Sequence, residues 1–217
     1  MKKNHGICDI NENNENRETV KSTEFCTPGI PDSCFIRGDV PMTKEEIRIF
    51  SVSKLHLGSK SVVYDIGSGT GSVAVEIARL SPDIEVYAVE INSEGIKLIN
   101  QNATNFGCSN IHAVQALAPA GLENLPTPTH AFIGGTKGNL LAIIEALREK
   151  NPKIRIVGTA VTLETVAEMQ NALKNLPVTD DDVVQVSVSR AEKVGGYRMM
   201  KANNPVFIYS FTFSGAD

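Results

Sequence analysis

Asp65-Ile66-Gly67-Ser68-Gly69-Thr70-Gly71 stands where a first strand must turn into a first helix. Its glycines let the backbone take positive φ and approach a ligand closely. Glu90 ends the second expected strand, 19 residues after Gly71, the place from which a carboxylate accepts both ribose hydroxyls of a nucleotide. Loop and carboxylate together point to an adenosine-bearing cofactor, and the spacing selects which one. A dinucleotide fingerprint needs G-x-G-x-x-G or a terminal Ala, but counted from Gly67 the sixth position is Ser72, and the pattern is G-x-G-x-G preceded by an acid. That favours S-adenosylmethionine over NAD. Asp65 suits a cationic amino-acid ligand, ordering the loop and facing the ammonium directly or through water, whereas a helix N-terminus holding pyrophosphate has less use for it. The bland alternative is a glycine turn that only packs helix on strand.

Outward from this loop the pattern alternates strand and helix, the mark of an α/β fold with a parallel sheet covered on both faces. Strands are expected at 61–66, 85–89, 110–115, 131–133 and 154–161. Helices between them carry Ile96, Ile99, Ala103 and Phe106 up to Gly107, and Leu140, Ile143, Ile144 and Leu147. A further helix should begin at Thr162 with Leu163, Val166, Met169 and Leu173 on one face. At the end, Val184, Val186 and Val188 alternate with polar residues, as does 205–213, which predicts an antiparallel strand pair joined by a loop at the sheet edge. Upstream, Thr43 and Glu46 read as a capping box opening a helix of about 12–15 residues.

The chain's 217 residues, 41% hydrophobic and 21% charged, suffice for one domain with a sizeable core. Residues 1–24 carry five Asn and four Glu with almost no aliphatic pattern and are expected to be a disordered tail. Residues 25–217 then form a single domain with an N-terminal arm. A net charge of −4 and no Trp argue against nucleic acid as a partner. No apolar run approaches a membrane span or a signal-peptide core, so a cytoplasmic protein is expected. Cys8, Cys26, Cys34 and Cys108 show no C-x-x-C spacing and read as reduced thiols, with no metal site.

The sequence resembles the S-adenosylmethionine-dependent corrin methyltransferases that methylate C15 of cobalt-precorrin-6B and remove its C12 acetate carboxyl as carbon dioxide. The resemblance runs from Gly29 to the end. It rests on Gly29-Ile30-Pro31-Asp32 with Phe35-Ile36-Arg37, Pro41-Met42-Thr43-Lys44-Glu45-Glu46, the glycine loop, Phe132-Ile133-Gly134-Gly135, Ala160-Val161-Thr162-Leu163-Glu164, Val188-Ser189-Arg190, Gly195-Gly196-Tyr197 and Asn204-Pro205-Val206-Phe207-Ile208. It implies a Rossmann-like class I methyltransferase fold with a mostly parallel seven-stranded sheet, a homotetramer, a tetrapyrrole substrate and cobalt-precorrin-7 as product in cobalamin biosynthesis. It places the cofactor on Thr43, Asp65, Gly67, Ser68, Gly69, Thr70, Gly71, Glu90 and the segment holding Leu117 and Ala118. That segment departs from the family: Leu117 replaces an Asp expected near the adenine amino group. Thr136-Lys137 and Thr159 are further departures.

A ring bearing many carboxylates needs local positive charge on an acidic protein. Within residues 190–201, Arg190, Lys193, Arg198 and Lys201 outnumber Glu192, and Arg37 and Lys137 would add to them. The expected substrate residues are Arg37, Gly134, Gly135, Lys137, Gly138, Glu164, Arg190 and Tyr197, with the glycines giving the flat ring close approach. For Glu164, a first-turn carboxylate that favours the helix dipole is the blander account. No protein acid or base is required, so catalytic residues are left open. The competing readings are another small-molecule, RNA or protein methyltransferase, although no Asn-Pro-Pro-Tyr type motif follows the fourth strand, or a non-catalytic cofactor-binding module. An NAD-dependent oxidoreductase is disfavoured by Ser72.

Overall fold

A computed structural model describes residues 27–214; the expected tail at 1–24 lies outside them. The first described segment is an arm that carries a short 3-10 turn, Asp32–Cys34, and leads to α1 (Glu45–Leu55). Strands and helices then alternate: β1 (Val62–Ile66), α2 (Ser72–Ala78), β2 (Glu85–Glu90), α3 (Ser93–Asn105), β3 (Ile111–Gln115), β4 (His130–Ile133), α4 (Leu140–Lys150), β5 (Arg155–Ala160) and α5 (Leu163–Asn175). The chain ends with β6 (Val178–Val186), β7 (Ser189–Val194), β8 (Tyr197–Ala202) and β9 (Val206–Phe213).

Seven strands form one sheet in the order β3-β2-β1-β4-β5-β9-β6, while β7 and β8 pair separately. The first five are parallel and β9 is antiparallel to both β5 and β6. Period-two alternation divides the core between the two faces. Val63, Phe132 and Val157 pack with α1, α2 and α3, and Tyr64, Ile133 and Ile156 pack with α4 and α5. Every residue of α2 is buried, so it lies within the helical layer rather than on it. Because β1 leads outward to β2 while its other neighbour is β4, the carboxyl ends of β1 and β4 border a crevice, where open α/β sheets bind ligands.

Helix boundaries follow local chemistry. Asn92 accepts from the Glu94 amide to cap α3. At the other end the amides of Gly107 and Cys108 donate to Thr104 and Ala103 with Gly107 at φ +68°, a Schellman closure. Thr162 caps α5 through the Thr165 amide, as its sequence position predicts.

Four expectations need correction. Thr43 does not cap α1: Lys44 occupies that position without a side-chain bond, the Glu45 amide donates to Asp32 Oδ1 at 3.0 Å, and Glu46 faces Arg190 instead. Leu163 is 81% exposed, because one residue past the cap it has not yet turned toward the sheet. The last strand pair is joined not by a loop but by the β7–β8 hairpin, and β6 begins at Val178 with a register irregularity between Thr179 and Asp182. Cys34 is disulfide-bonded, since missing C-x-x-C spacing bears on metal sites and not on pairing; Cys108 is free and buried.

Candidate functional site

A cleft of about 350 Å³ opens at the carboxyl ends of β1, β2 and β4. Gly67, Gly69 and Glu90 line one side, Leu117 and Ala118 a second, Gly134, Gly135 and Lys137 a third, and Val40 and Pro41 of the arm close it. The two glycine-bearing turns meet backbone to backbone. The amides of Gly134 and Gly135 donate to Ile66, and a Cβ on Gly67, whose φ is +72°, would stand 2.5 Å from the Gly135 carbonyl oxygen. No side chain fits there.

Hydrogen bonds fix the chemistry the loop has left to offer. The amides of Gly67 and Ser68 donate to Val89, that of Gly71 donates to Ser68, and that of Gly69 donates to Glu90 Oε2 at 2.9 Å. With these donors engaged inside the protein, the loop is poorly equipped to cradle a pyrophosphate. Glu90 Oε1 accepts from the Asn92 amide at 2.8 Å. Each carboxylate oxygen keeps a further lone pair, so a side chain held from both ends presents acceptors for two vicinal hydroxyls.

Asp65 is fully buried. Its Oδ2 accepts from Ser68 Oγ at 2.7 Å and from the Ala74 amide at 3.1 Å, while its Oδ1 has no partner among the described residues. Burial pushes this carboxyl up to about 6, with Glu90 adding to the rise and the two hydrogen bonds opposing it. A buried orphan oxygen beside a glycine cradle, next to a carboxylate set for a diol, suits a ligand carrying both an ammonium and a ribose. These residues fit S-adenosylmethionine.

Gly95 was not foreseen in the sequence. A Cβ there would meet Glu90 Cγ at 2.6 Å, so the absence of a side chain in the first turn of α3 keeps Glu90 in place. Gly95→Ala gains about 1 kcal/mol of helix propensity yet displaces Glu90. Calorimetric titration should show S-adenosylmethionine bound about tenfold more weakly, the loss of roughly one hydrogen bond to a charged group; unchanged affinity would remove Glu90 from the nucleoside site.

A family model described as a precorrin methyltransferase domain matches residues 34–213. The chain belongs to this family. The probable cobalt-precorrin-6B C(15)-methyltransferase (decarboxylating) of Pyrobaculum calidifontis is 42% identical over 187 residues, 85% of this chain and 95% of that protein. The Salmonella typhimurium protein named cobalt-precorrin-6B C(15)-methyltransferase (decarboxylating) is 35% identical over 179 residues, 82% of this chain and 92% of its own. Among solved structures, precorrin-6y C5,15-methyltransferase from Geobacter metallireducens superposes with a TM-score of 0.80 at 35% identity, covering 87% of this chain and 97% of that one.

In this precorrin methyltransferase the expected site residues do not all converge. Gly67, Gly69, Glu90, Leu117, Ala118, Gly134, Gly135 and Lys137 line the cleft. Ser68 and Asp65 are buried beneath it. Thr70 and Gly71 turn toward α3: the Thr70 carbonyl accepts from Asn102, and Gly71 backs onto Ile99. Thr43 presents its carbonyl to Arg48. Arg37 lies 3.8 Å from Asp32, and Gly138 follows Lys137 in a turn where both take positive φ. Glu164 is exposed in the first turn of α5. Arg190 pairs with Glu45 and Glu46 at the start of α1, and those carboxylates raise its pKa. Tyr197 is 80% exposed on the hairpin.

Sequence reasoning also missed the wall formed by Val40 and Pro41 and the network that anchors it. Arg48, with no exposed surface, binds Asp32 at 2.7 Å, Glu76 at 3.4 Å and the carbonyls of Thr43 and Ile30, under the ring of Phe35. Glu76 in turn accepts from the amides of Gly29 and Ile30. Arg48, three residues after Glu45, was no signal by itself, because its partners come from three separate segments.

Proposed function

We propose that this protein transfers a methyl group from S-adenosylmethionine to C15 of cobalt-precorrin-6B and removes the C12 acetate carboxyl as carbon dioxide, giving cobalt-precorrin-7 in cobalamin biosynthesis. The family match over residues 34–213, joined to a glycine loop whose amides are engaged internally, carries this reading. S-adenosylmethionine, when bound, supplies an electrophilic methyl on a sulfonium. The chain's own residues bind, orient and exclude water, and alignment of this kind matters more to a displacement than a strong base.

Glu90 takes the ribose hydroxyls and Asp65 sets a negative charge behind the loop for the ammonium. Leu117, 42% exposed at the cleft edge, gives adenine an apolar contact where the family resemblance implies a carboxylate. The Ala118 carbonyl accepts from Asn139 at 3.3 Å and keeps a second lone pair for the base edge. Gly134 and Gly135 leave a flat backbone surface for a planar ring, and Lys137, held in the left-handed region at φ +52°, supplies a cation for a ring carboxylate. The ring's own enamine-like carbon is the nucleophile and its conjugation accepts the electron pair released on decarboxylation, so no protein acid or base is invoked.

Arg37, Gly138, Glu164, Arg190 and Tyr197 complete the proposed substrate side. The last two stand at the base and tip of the hairpin. A homotetramer and a cytoplasmic location belong to the same proposal. The hairpin leaves Tyr197, Met199 and Met200 exposed as surface for association, and among the described residues no helix is long and apolar enough to cross a membrane. Quantifying S-adenosylhomocysteine and carbon dioxide during turnover of cobalt-precorrin-6B tests the reaction. Equal release of both is expected; S-adenosylhomocysteine without carbon dioxide would contradict the decarboxylating half.

A further inference from the structure

Asn102 sits in the last turn of α3, nine residues after Ser93, with no exposed surface. A buried carboxamide must satisfy both ends, and this one does so across two segments distant in sequence. Its Oδ1 accepts from the Ile36 amide at 2.8 Å. Its Nδ2 donates to the Ile36 carbonyl at 3.0 Å and to the Thr70 carbonyl at 2.8 Å. One side chain therefore binds the arm on both backbone groups of Ile36 and the glycine loop at Thr70, between its last two glycines.

The arm reaches the cleft a few residues later. The Asp39 amide donates to Glu94 Oε1 at 3.0 Å, and Val40 and Pro41 then line the cleft. There arm and loop touch again: a Cβ on Gly69 would stand 2.5 Å from the Pro41 carbonyl oxygen. The wall at residues 40–41 thus hangs from two pins on α3, Asn102 behind and Glu94 beside it.

We propose that Asn102 is a positioning residue for the cofactor, locking the arm to the glycine loop so that two walls of the cleft keep one spacing. This rests on S-adenosylmethionine as the ligand of that cleft. Asn102 touches neither cofactor nor substrate; it acts through Ile36 and Thr70. Glu94 is the lesser pin, because its bond is exposed.

The test compares three variants of the full chain by calorimetric titration with S-adenosylmethionine and by amide hydrogen exchange. Asn102→Ala should weaken binding about ten- to a hundredfold, as expected for buried hydrogen bonds left unmade, and should lower exchange protection at Ile36 and in residues 69–71 together. Glu94→Ala, on the surface, should weaken binding about threefold. The control is Asn110→Ala, whose Nδ2 donates to the carbonyls of Ala78, Ser81 and Ile84 away from the arm; it should lower Tm and leave affinity unchanged. If Asn102→Ala does not fold, the Glu94→Ala affinity and its exchange at residues 36–41 decide. Wild-type affinity in the Asn102 and Glu94 variants, or an equal loss in Asn110→Ala, overturns the proposal. Failure of the unmodified protein to bind S-adenosylmethionine would instead overturn the cofactor reading.

Discussion

Arg48→Ala should cost the fold about 3–5 kcal/mol, the range for removing one member of a buried ion pair. The guanidinium is wholly buried and serves four acceptors. Its loss strands Glu76, which is 3% exposed, together with the carbonyls of Ile30 and Thr43. Coulomb attraction alone is not the cause, since a pair taken out of water roughly repays its desolvation; the penalty comes from the partners left behind. Arg48→Met with Glu76→Gln should therefore recover part of the loss, because the charge is removed with its partner. Guanidinium denaturation measures both. A loss below about 1 kcal/mol for Arg48→Ala would mean that the arm relaxes and hydrates the site.

Asp65→Asn should stabilise the protein at pH 7 while weakening S-adenosylmethionine binding. The carboxyl titrates at about 6 in the fold against an ordinary 3.8, so the folded state holds its proton more tightly than the unfolded one. Protonation then contributes stability that is fully present below about pH 4 and lost as pH rises through about 6. At pH 7 the ionised, buried carboxylate costs on the order of 3 kcal/mol, which the neutral amide avoids. Denaturation between pH 4 and 7 should show the variant's advantage growing across that window. Binding should move the other way: affinity of the unmodified protein falls about tenfold per pH unit below 6, and Asp65→Asn flattens that profile. An advantage independent of pH would show that Asp65 is not the titrating group.

What could be read from the residues divides by range. The glycine loop, the place of Glu90 at the end of β2, the Gly107 end of α3 and the Thr162 cap of α5 were legible because each is set by neighbours within a few positions. Arg48 was not. It follows Ile47 on a helix otherwise rich in polar residues and reads as solvent-facing until the arm and α2 are brought against it. The capping box failed for the same reason, as Asp32 arrives from 13 residues away to take the Glu45 amide. The β7–β8 hairpin was missed because all its side chains are exposed, which erases polar–apolar alternation; the signal present was Gly195-Gly196, a two-residue hairpin turn. Within β6, Asp180 and Asp182 pair with Arg155 of β5 and Lys54 of α1, partners far away in sequence. For the site, the residues expected at the cofactor that line the cleft are Gly67 and Gly69 of the local motif, with Glu90, Leu117 and Ala118 from later strand ends. Of Lys137, Arg190 and Tyr197, expected from the sequence to meet the substrate, only Lys137 lines the cleft, since where the other two sit is set by contacts far away in sequence.

The most direct measurement is mass spectrometry of the corrin ring after incubating cobalt-precorrin-6B with this protein and methyl-labelled S-adenosylmethionine. The expected product is a ring that has gained one labelled methyl and lost carbon dioxide. An unchanged ring, from protein shown by titration to bind the cofactor, would contradict the proposed reaction.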